Sequence, residues 1–126
     1  MREILFRGKR KCDGEWVEGD LSYHVHDGDV YIFPVSGYDS PNRYEVYCET
    51  VCQYTGLIDK NGRKIWENDI VKHDVSDTIG TVKWYHKDYI GWCVDDVQIY
   101  EQQFTDEMWN ECEVIGNILD NPELIG

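Results

Sequence analysis

The chain has 126 residues, of which 41% are hydrophobic and 13% aromatic, and these fractions exclude an intrinsically disordered protein. Its 25 acidic and 12 basic residues give a formal net charge of −13, which opposes binding to the phosphate backbone of a nucleic acid. The apolar residues occur in short runs that cannot span a membrane. We therefore expect one soluble, acidic domain with no membrane partner.

The N-terminus and the cysteines both indicate the cytoplasm. Residues 1–6 (MREILF) contain neither an apolar h-region nor a small-residue cleavage site, so they do not indicate a signal peptide. Five cysteines, an odd number, argue against a disulfide framework and fit reduced thiols. Cys48 and Cys52 have the spacing of half a zinc site, but no second pair follows at ligand spacing. The pattern therefore favours small core residues over metal ligands.

Short alternating segments in the first part of the chain predict an N-terminal β unit over residues 3–35. Apolar residues alternate with charged ones from Ile4 onward, as on a half-buried strand. Asp-Gly at residues 13–14 is a hairpin signal, and Asp-Gly-Asp at 27–29 marks a second turn. Residues 36–43 (SGYDSPNR) have the composition of a loop. We expect this flexible loop to separate the two halves.

The remainder of the chain predicts a C-terminal SH3-like β unit over residues 44–124. A turn at 59–62 is followed, over residues 69–94, by an acid-Ile-Val strand, a polar loop, Gly-x-Val-x-Trp, a turn and an apolar strand. This order is typical of a small SH3-like barrel, which hides the edges of short strands. At most one short helix is expected, near residues 105–111. The predicted fold is therefore mainly β, with one or more small SH3-like barrels built from two β-hairpin units.

One short phrase occurs twice, at residues 13–21 and 61–71, and each copy joins a hairpin signal, an aromatic strand and a Glu-x-Asp pair. Two-residue spacing on a strand places both carboxylates on one face, where they could bind a divalent cation or act as an acid/base pair. Recurrence in both halves favours acids that bond backbone amides and shape a turn. The predicted structural turn acids are Glu18, Asp20, Glu67 and Asp69.

The sequence predicts no catalytic residue, no metal ligand and no cofactor, and hence no enzyme. Residues 7–11 (RGKRK) form a basic cluster, in which solvated or edge-covering charges are favoured over a phosphate site. His24 and His26 share a face of an extended segment but have no carboxylate or thiol at ligand spacing. No nucleophile motif or phosphate-binding glycine loop is present in the sequence.

Five separated blocks together resemble the YopX family of phage and prophage proteins. They are FRGK at 6–9, GEWVEGDL at 14–21, TVCQYTGLIDKNG at 50–62, WENDIV at 66–71 and EVIGNI at 113–118. The resemblance implies a single YopX-like domain over residues 1–126, mainly β, cytoplasmic, phage- or prophage-encoded and self-associating. It implies no established activity, so no site residue is carried over. The chain departs from the family pattern at Asn68, where glycine is usual, and asparagine is the next-best residue at a positive φ.

The surplus of aromatic residues favours a partner-binding role. Tryptophans in predicted strands are expected in the core, whereas Tyr38 and Tyr44, beside the loop, are candidate partner-binding aromatics. We therefore expect a non-enzymatic phage or prophage accessory protein that forms a homo-oligomer and binds a host or phage protein. One alternative is an acidic DNA mimic that inhibits a host nuclease or DNA-binding protein. The second is a nucleic-acid-binding barrel that uses residues 7–11 with an aromatic platform.

Overall fold

A computed structural model describes residues 4–24, 26–34, 43–74, 78–85, 91–96, 100–103 and 109–125. These residues are mainly β, as predicted, and form two antiparallel sheets. The chain divides into two compact units, Met1–Tyr54 and Thr55–Gly126. The strands are β1 (Phe6–Lys9), β2 (Trp16–Tyr23), β3 (Val30–Pro34), β4 (Tyr44–Val46), β5 (Cys52–Ile58), β6 (Lys64–Trp66), β7 (Asp69–His73), β8 (Thr78–Tyr85), β9 (Gly91–Asp96), β10 (Tyr100–Gln103) and β11 (Cys112–Asn117).

The first unit is built on a sheet with the strand order β4-β3-β2-β1, beside which β5 begins. Because successive side chains on a strand point to opposite faces, alternate residues of these strands form one apolar side. Its buried core contains Val17, Val30, Ile32 and Val46. Gly8 lies on the same side, where a Cβ atom would stand 3.1 Å from the Val46 side chain. A residue with no side chain therefore lets β1 approach this core closely.

The two Asp-Gly turns of the first unit lie where the sequence predicts them. Gly14, between β1 and β2, has a φ of 77°, and Gly28, between β2 and β3, has a φ of 73°. Glycine is the residue that adopts this conformation at no steric cost. The end of β1 also meets β4 through an isolated bridge between Arg10 and Val46. The sheet of the first unit therefore curls toward its own edge.

The second unit contains the end of β5 with β6, and a five-stranded sheet with the order β10-β9-β8-β7-β11. The pairing of β7 with β11 is irregular between Val114 and Gly116. Asn68, which has a φ of 71°, lies in the turn between β6 and β7. The buried core residues of this unit are Ile65, Val71, Val82, Val94, Trp109, Cys112 and Val114.

The closed SH3-like barrel is not confirmed. Both sheets have linear strand orders, and within the described residues β1 and β4 meet only through a bridge and neighbouring backbone hydrogen bonds. The division after Tyr54 also lies later than the boundary expected near residue 44, because β4 pairs with β3.

Two further predictions fall partly on residues that the structure does not describe. Residues 36–42 of the expected loop lie outside the described ranges, and so do residues 105–108 of the expected helix. Trp109 and Asn110, at the end of that segment, are helical. Near the end of the described residues, the chain forms a 3-10 helix, Pro122–Ile125.

Candidate binding face of the first unit

One side of the first sheet carries aromatic, basic and acidic side chains together. Directly opposed residues of an antiparallel pair point to the same side of the sheet. The register therefore groups Lys9 with Trp16, Arg7 with Glu18, and Asp20 with Phe33, opposite to the side that bears the apolar core. We call this side the outer face, and it includes Arg7, Lys9, Trp16, Glu18, Asp20, Ser22, Tyr31, Phe33, Arg43 and Glu45.

Two cation–aromatic stacks lie on the outer face. The Cζ atom of Arg7 lies 4.4 Å from the centroid of the Trp16 ring, and the Nζ atom of Lys9 lies 5.4 Å from it. The Cζ atom of Arg43 lies 4.1 Å above the Tyr31 ring. Each such contact contributes about 0.5–1 kcal/mol at an exposed site. The stacks therefore hold three cations against flat aromatic surfaces.

Two carboxylates lie between these stacks. Glu18 and Asp20 are both exposed and occupy alternate positions of β2, so both belong to the outer face. Asp20 pairs across strands with Phe33, whose side chain remains 39% exposed. Across the sheet the charge therefore changes from positive on β1 to negative on β2, and the flank at β4 has both a cation, Arg43, and an acid, Glu45. A surface with this composition suits a partner that presents both charges and apolar area.

Ion pairs border the outer face at the end of β1. Arg10 pairs with Asp13, and this contact lowers the pKa of the Asp13 carboxyl while raising that of Arg10. Lys11 lies 2.9 Å from Glu45, which raises the pKa of the Lys11 amine. Because Arg10 and Lys11 already have carboxylate partners, part of the positive charge of the basic cluster at 7–11 is neutralised. This arrangement weakens the case for a phosphate site.

Of the two predicted partner-binding aromatics, the one that the structure describes, Tyr44, does not lie on the outer face. Tyr44 pairs across strands with the buried Ile32 and packs against the apolar core, and Arg10 lies 4.7 Å from its ring centroid. Its side chain is therefore half-buried on the opposite side of the sheet. Tyr38 lies outside the described residues. The aromatics that the register brings together are instead Trp16, Tyr31 and Phe33.

The two copies of the repeated phrase have different structures. In the second copy, Asp69 is 2% exposed and its Oδ2 atom accepts a 2.8 Å hydrogen bond from the Trp66 amide, across a turn that contains Glu67. In the first copy, Glu18 and Asp20 lie within the uninterrupted strand β2 rather than at a turn. The difference arises because residue 19 pairs with strands on both sides, whereas Asn68 turns the chain with a positive φ.

Asp59 is a structural turn acid that the sequence interpretation did not assign. It is 3% exposed, and its Oδ1 atom accepts hydrogen bonds of 2.9 Å from the amides of Asn61 and Arg63. Its Oδ2 atom accepts another of 2.9 Å from the amide of Val114. The side chain thereby joins the Asn61-Gly62 turn to β11. An aspartate two residues before an Asn-Gly signal is the local pattern that indicates such a turn.

The histidine and cysteine pairs of the sequence are not brought together as ligands. Cys48 is exposed, whereas Cys52 is buried and its Sγ atom donates to the Thr50 carbonyl at 3.3 Å. The His24 ring lies 4.7 Å from the Tyr31 ring, and His26 is exposed. In the described part of the chain, no group of three or more His, Cys, Asp or Glu is placed to hold a metal ion. None of the helices described there is long and apolar enough to cross a bilayer.

Thiol reactivity should divide the five cysteines into two classes. Cys12 and Cys48 are exposed, and we expect both to react with a thiol reagent in the folded protein. Cys112 is fully buried, and burial raises its pKa to about 12, so it remains a protonated, unreactive thiol at neutral pH. Cys52 and Cys93 are also buried. Mass spectrometry should detect two modified cysteines in the native protein and five after denaturation, and rapid native modification of Cys112 would contradict the structure.

The comparisons with known proteins agree with the fold. The chain is similar to a solved structure described as the crystal structure of protein EF1440 from Enterococcus faecalis, with a TM-score of 0.59 and 20% identity over 100% of both chains. At this identity the likeness shows the fold alone. No curated protein matches the sequence. The family described as YopX protein matches residues 5–126, nearly the whole chain, and the protein therefore belongs to the YopX protein family.

Proposed function

We propose that the protein is a non-enzymatic binding module that binds a protein partner through the outer face of its first unit. The observation that carries this proposal is the pair of cation–aromatic stacks on either side of the exposed acids Glu18 and Asp20. Arginine, tryptophan and tyrosine are the residue types that contribute most to the affinity of protein interfaces. Phe33 adds exposed apolar area beside them.

The same geometry favours a protein partner over a nucleic acid. A strand of nucleic acid on this face would bring its phosphates past Glu18 and Asp20, which repel them. Residues 1–54 as a whole contain six Lys or Arg against ten Asp or Glu. The Trp16 ring also carries two cations, which compete with a base for stacking on it. A protein surface, in contrast, can present acids to the stacks and bases to the carboxylates.

The resemblance in the sequence supports a biological setting for this module. It suggests an accessory protein of a phage or prophage that acts in the cytoplasm of the host bacterium. The partner is then a host or phage protein with a mixed-charge surface, and the protein also binds a second copy of itself.

A capture experiment tests the proposed function. The tagged protein would be incubated with lysate of a phage-infected bacterium, and captured proteins identified by mass spectrometry after nuclease treatment. We expect the double variant Phe33→Ala/Arg43→Ala to recover at least about tenfold less of a specific partner, because it removes one stack and the exposed ring beside it. The matched control, Ile79→Ala/Lys83→Ala, changes an exposed apolar residue and an exposed cation of β8.

Two outcomes would count against the proposed function. Equal recovery of the same partner by wild-type protein and by the Phe33/Arg43 variant would place the binding surface elsewhere. Recovery that disappears on nuclease treatment would show that a nucleic acid, not a protein, occupies the face. The control variant must keep its partner for either conclusion to hold.

A further inference from the structure

The outer face differs in charge from the rest of the chain. Its three cations, Arg7, Lys9 and Arg43, are balanced by three carboxylates, Glu18, Asp20 and Glu45, in a protein of net charge −13. Residues 55–126 contain six Lys or Arg against fifteen Asp or Glu. Two copies that met through their second units would therefore repel each other. Contact through the outer faces avoids this repulsion.

The order of charges on the outer face is also self-complementary. Asp20 on β2 pairs with Phe33 on β3. Arg43 stands one residue beyond the Ile32–Tyr44 pair of β3 with β4, which places it beside Phe33 on the other flank. One row across three strands thus contains an acid, an exposed aromatic ring and a cation. A two-fold axis that lies along the middle strand of such a row brings each acid opposite a cation.

We propose that two copies of this chain pair through their outer faces about a two-fold axis along β3. In this dimer Phe33 lies at the centre, and Arg43 of each copy contacts Asp20 of the partner subunit. The inference rests on the proposed function in using the same face, and it commits to a second copy as the occupant, for which a different protein partner would have to compete. An isologous contact of this kind closes at two subunits and leaves no free face for further growth.

A charge-exchange experiment tests the dimer. Arg43→Glu places two carboxylates opposite each other at both symmetry-related contacts, and Asp20→Lys does the same with two cations. Both positions are exposed, so the fold should tolerate either change. We expect each variant alone to dimerise at least about tenfold more weakly than the wild type, measured by sedimentation equilibrium. An equimolar mixture of the two should recover the dimer, because both contacts are then between opposite charges.

The controls are Lys83→Glu and Glu123→Lys, which reverse exposed charges of the second unit. Both should dimerise like the wild type, apart from a general response to net charge. A wild-type protein that is monomeric up to high micromolar concentration would overturn the inference. So would a mixture of Arg43→Glu and Asp20→Lys that remains monomeric, since this would show that the two residues do not meet.

The same variants separate this inference from the proposed function. Suppose that the wild type is monomeric and captures a lysate partner that the Phe33/Arg43 variant does not capture. The outer face then binds another protein, and only the dimer is wrong. If the mixture recovers the dimer while that variant still captures the partner, the dimer stands and the partner binds elsewhere. A higher oligomer in the wild type would contradict the closed two-fold contact.

Discussion

Replacing Asp59 with alanine is expected to lower the free energy of unfolding by about 3–5 kcal/mol. The substitution removes the carboxylate that accepts backbone hydrogen bonds from Asn61, Arg63 and Val114. Val114 is buried, so its amide would lose a charged acceptor where water has poor access. The turn between β5 and β6 would also lose one of its hydrogen bonds to β11. The effect is large because one side chain accepts hydrogen bonds from two segments that are far apart in sequence.

Urea unfolding, followed by tryptophan fluorescence, measures this effect. The free energy of unfolding of Asp59→Asn should lie between those of the wild type and Asp59→Ala. The amide oxygen of asparagine can still accept a hydrogen bond on one side, while its NH₂ group faces a backbone donor on the other. Asp27→Ala is the matched control, since Asp27 also precedes a turn glycine but is exposed. It should change stability by less than about 0.5 kcal/mol. An Asp59→Ala midpoint equal to that of the control would show that these hydrogen bonds contribute little.

The elements that the sequence predicts well are those set by local chemistry. The Asp-Gly and Asn-Gly signals lie at observed turns, where Gly14, Gly28 and Gly62 all have positive φ. Asn68 has a φ of 71°, as expected for a residue that replaces glycine in a turn. In each of these cases the information needed lies within about four residues. Local patterns therefore locate the turns of this chain.

The features that the sequence did not predict depend on contacts between distant residues. The hydrogen bond from Val114 to Asp59 spans 55 residues, and no local pattern in either segment predicts it. The strand β10 has the sequence YEQQ, in which Glu and Gln have low β propensity, and it is a strand because it pairs with β9. The outer face likewise combines residues of β1, β2 and β3 that only the register brings together.

The repeated phrase shows how one pattern can serve two structures. Both copies read as Glu-x-Asp after an aromatic strand, and the middle residue is Gly19 in one and Asn68 in the other. Asn68 turns the chain, so Asp69 is buried and bonds the backbone of the turn. Gly19 instead lies inside a strand, so its neighbours stay exposed. The acids of the first copy are thereby available for binding, whereas Asp69 of the second stabilises a turn.

Replacing Gly19 with alanine is expected to destabilise the first unit by at least about 3 kcal/mol. A Cβ atom at this position would stand 1.8 Å from the carbonyl oxygen of Phe33, a separation that no side-chain movement can relieve because the neighbour is backbone. The strands β2 and β3 would have to move apart. Gly91→Ala is the matched control, since a Cβ there meets nothing within 4 Å. An equal loss of stability in both variants would contradict this account.

Gly19→Ala should also weaken self-association, so it differs from the surface substitutions in affecting both stability and self-association. Gly19 lies between Glu18 and Asp20 and opposite Pro34, so moving β2 from β3 displaces Asp20 from Phe33. We therefore expect Gly19→Ala to lose both stability and self-association, whereas Arg43→Glu should lose self-association alone. Circular dichroism melting and sedimentation equilibrium on the same samples measure the two properties. Self-association retained in a destabilised Gly19→Ala variant would mean that the β2–β3 register does not position the binding residues.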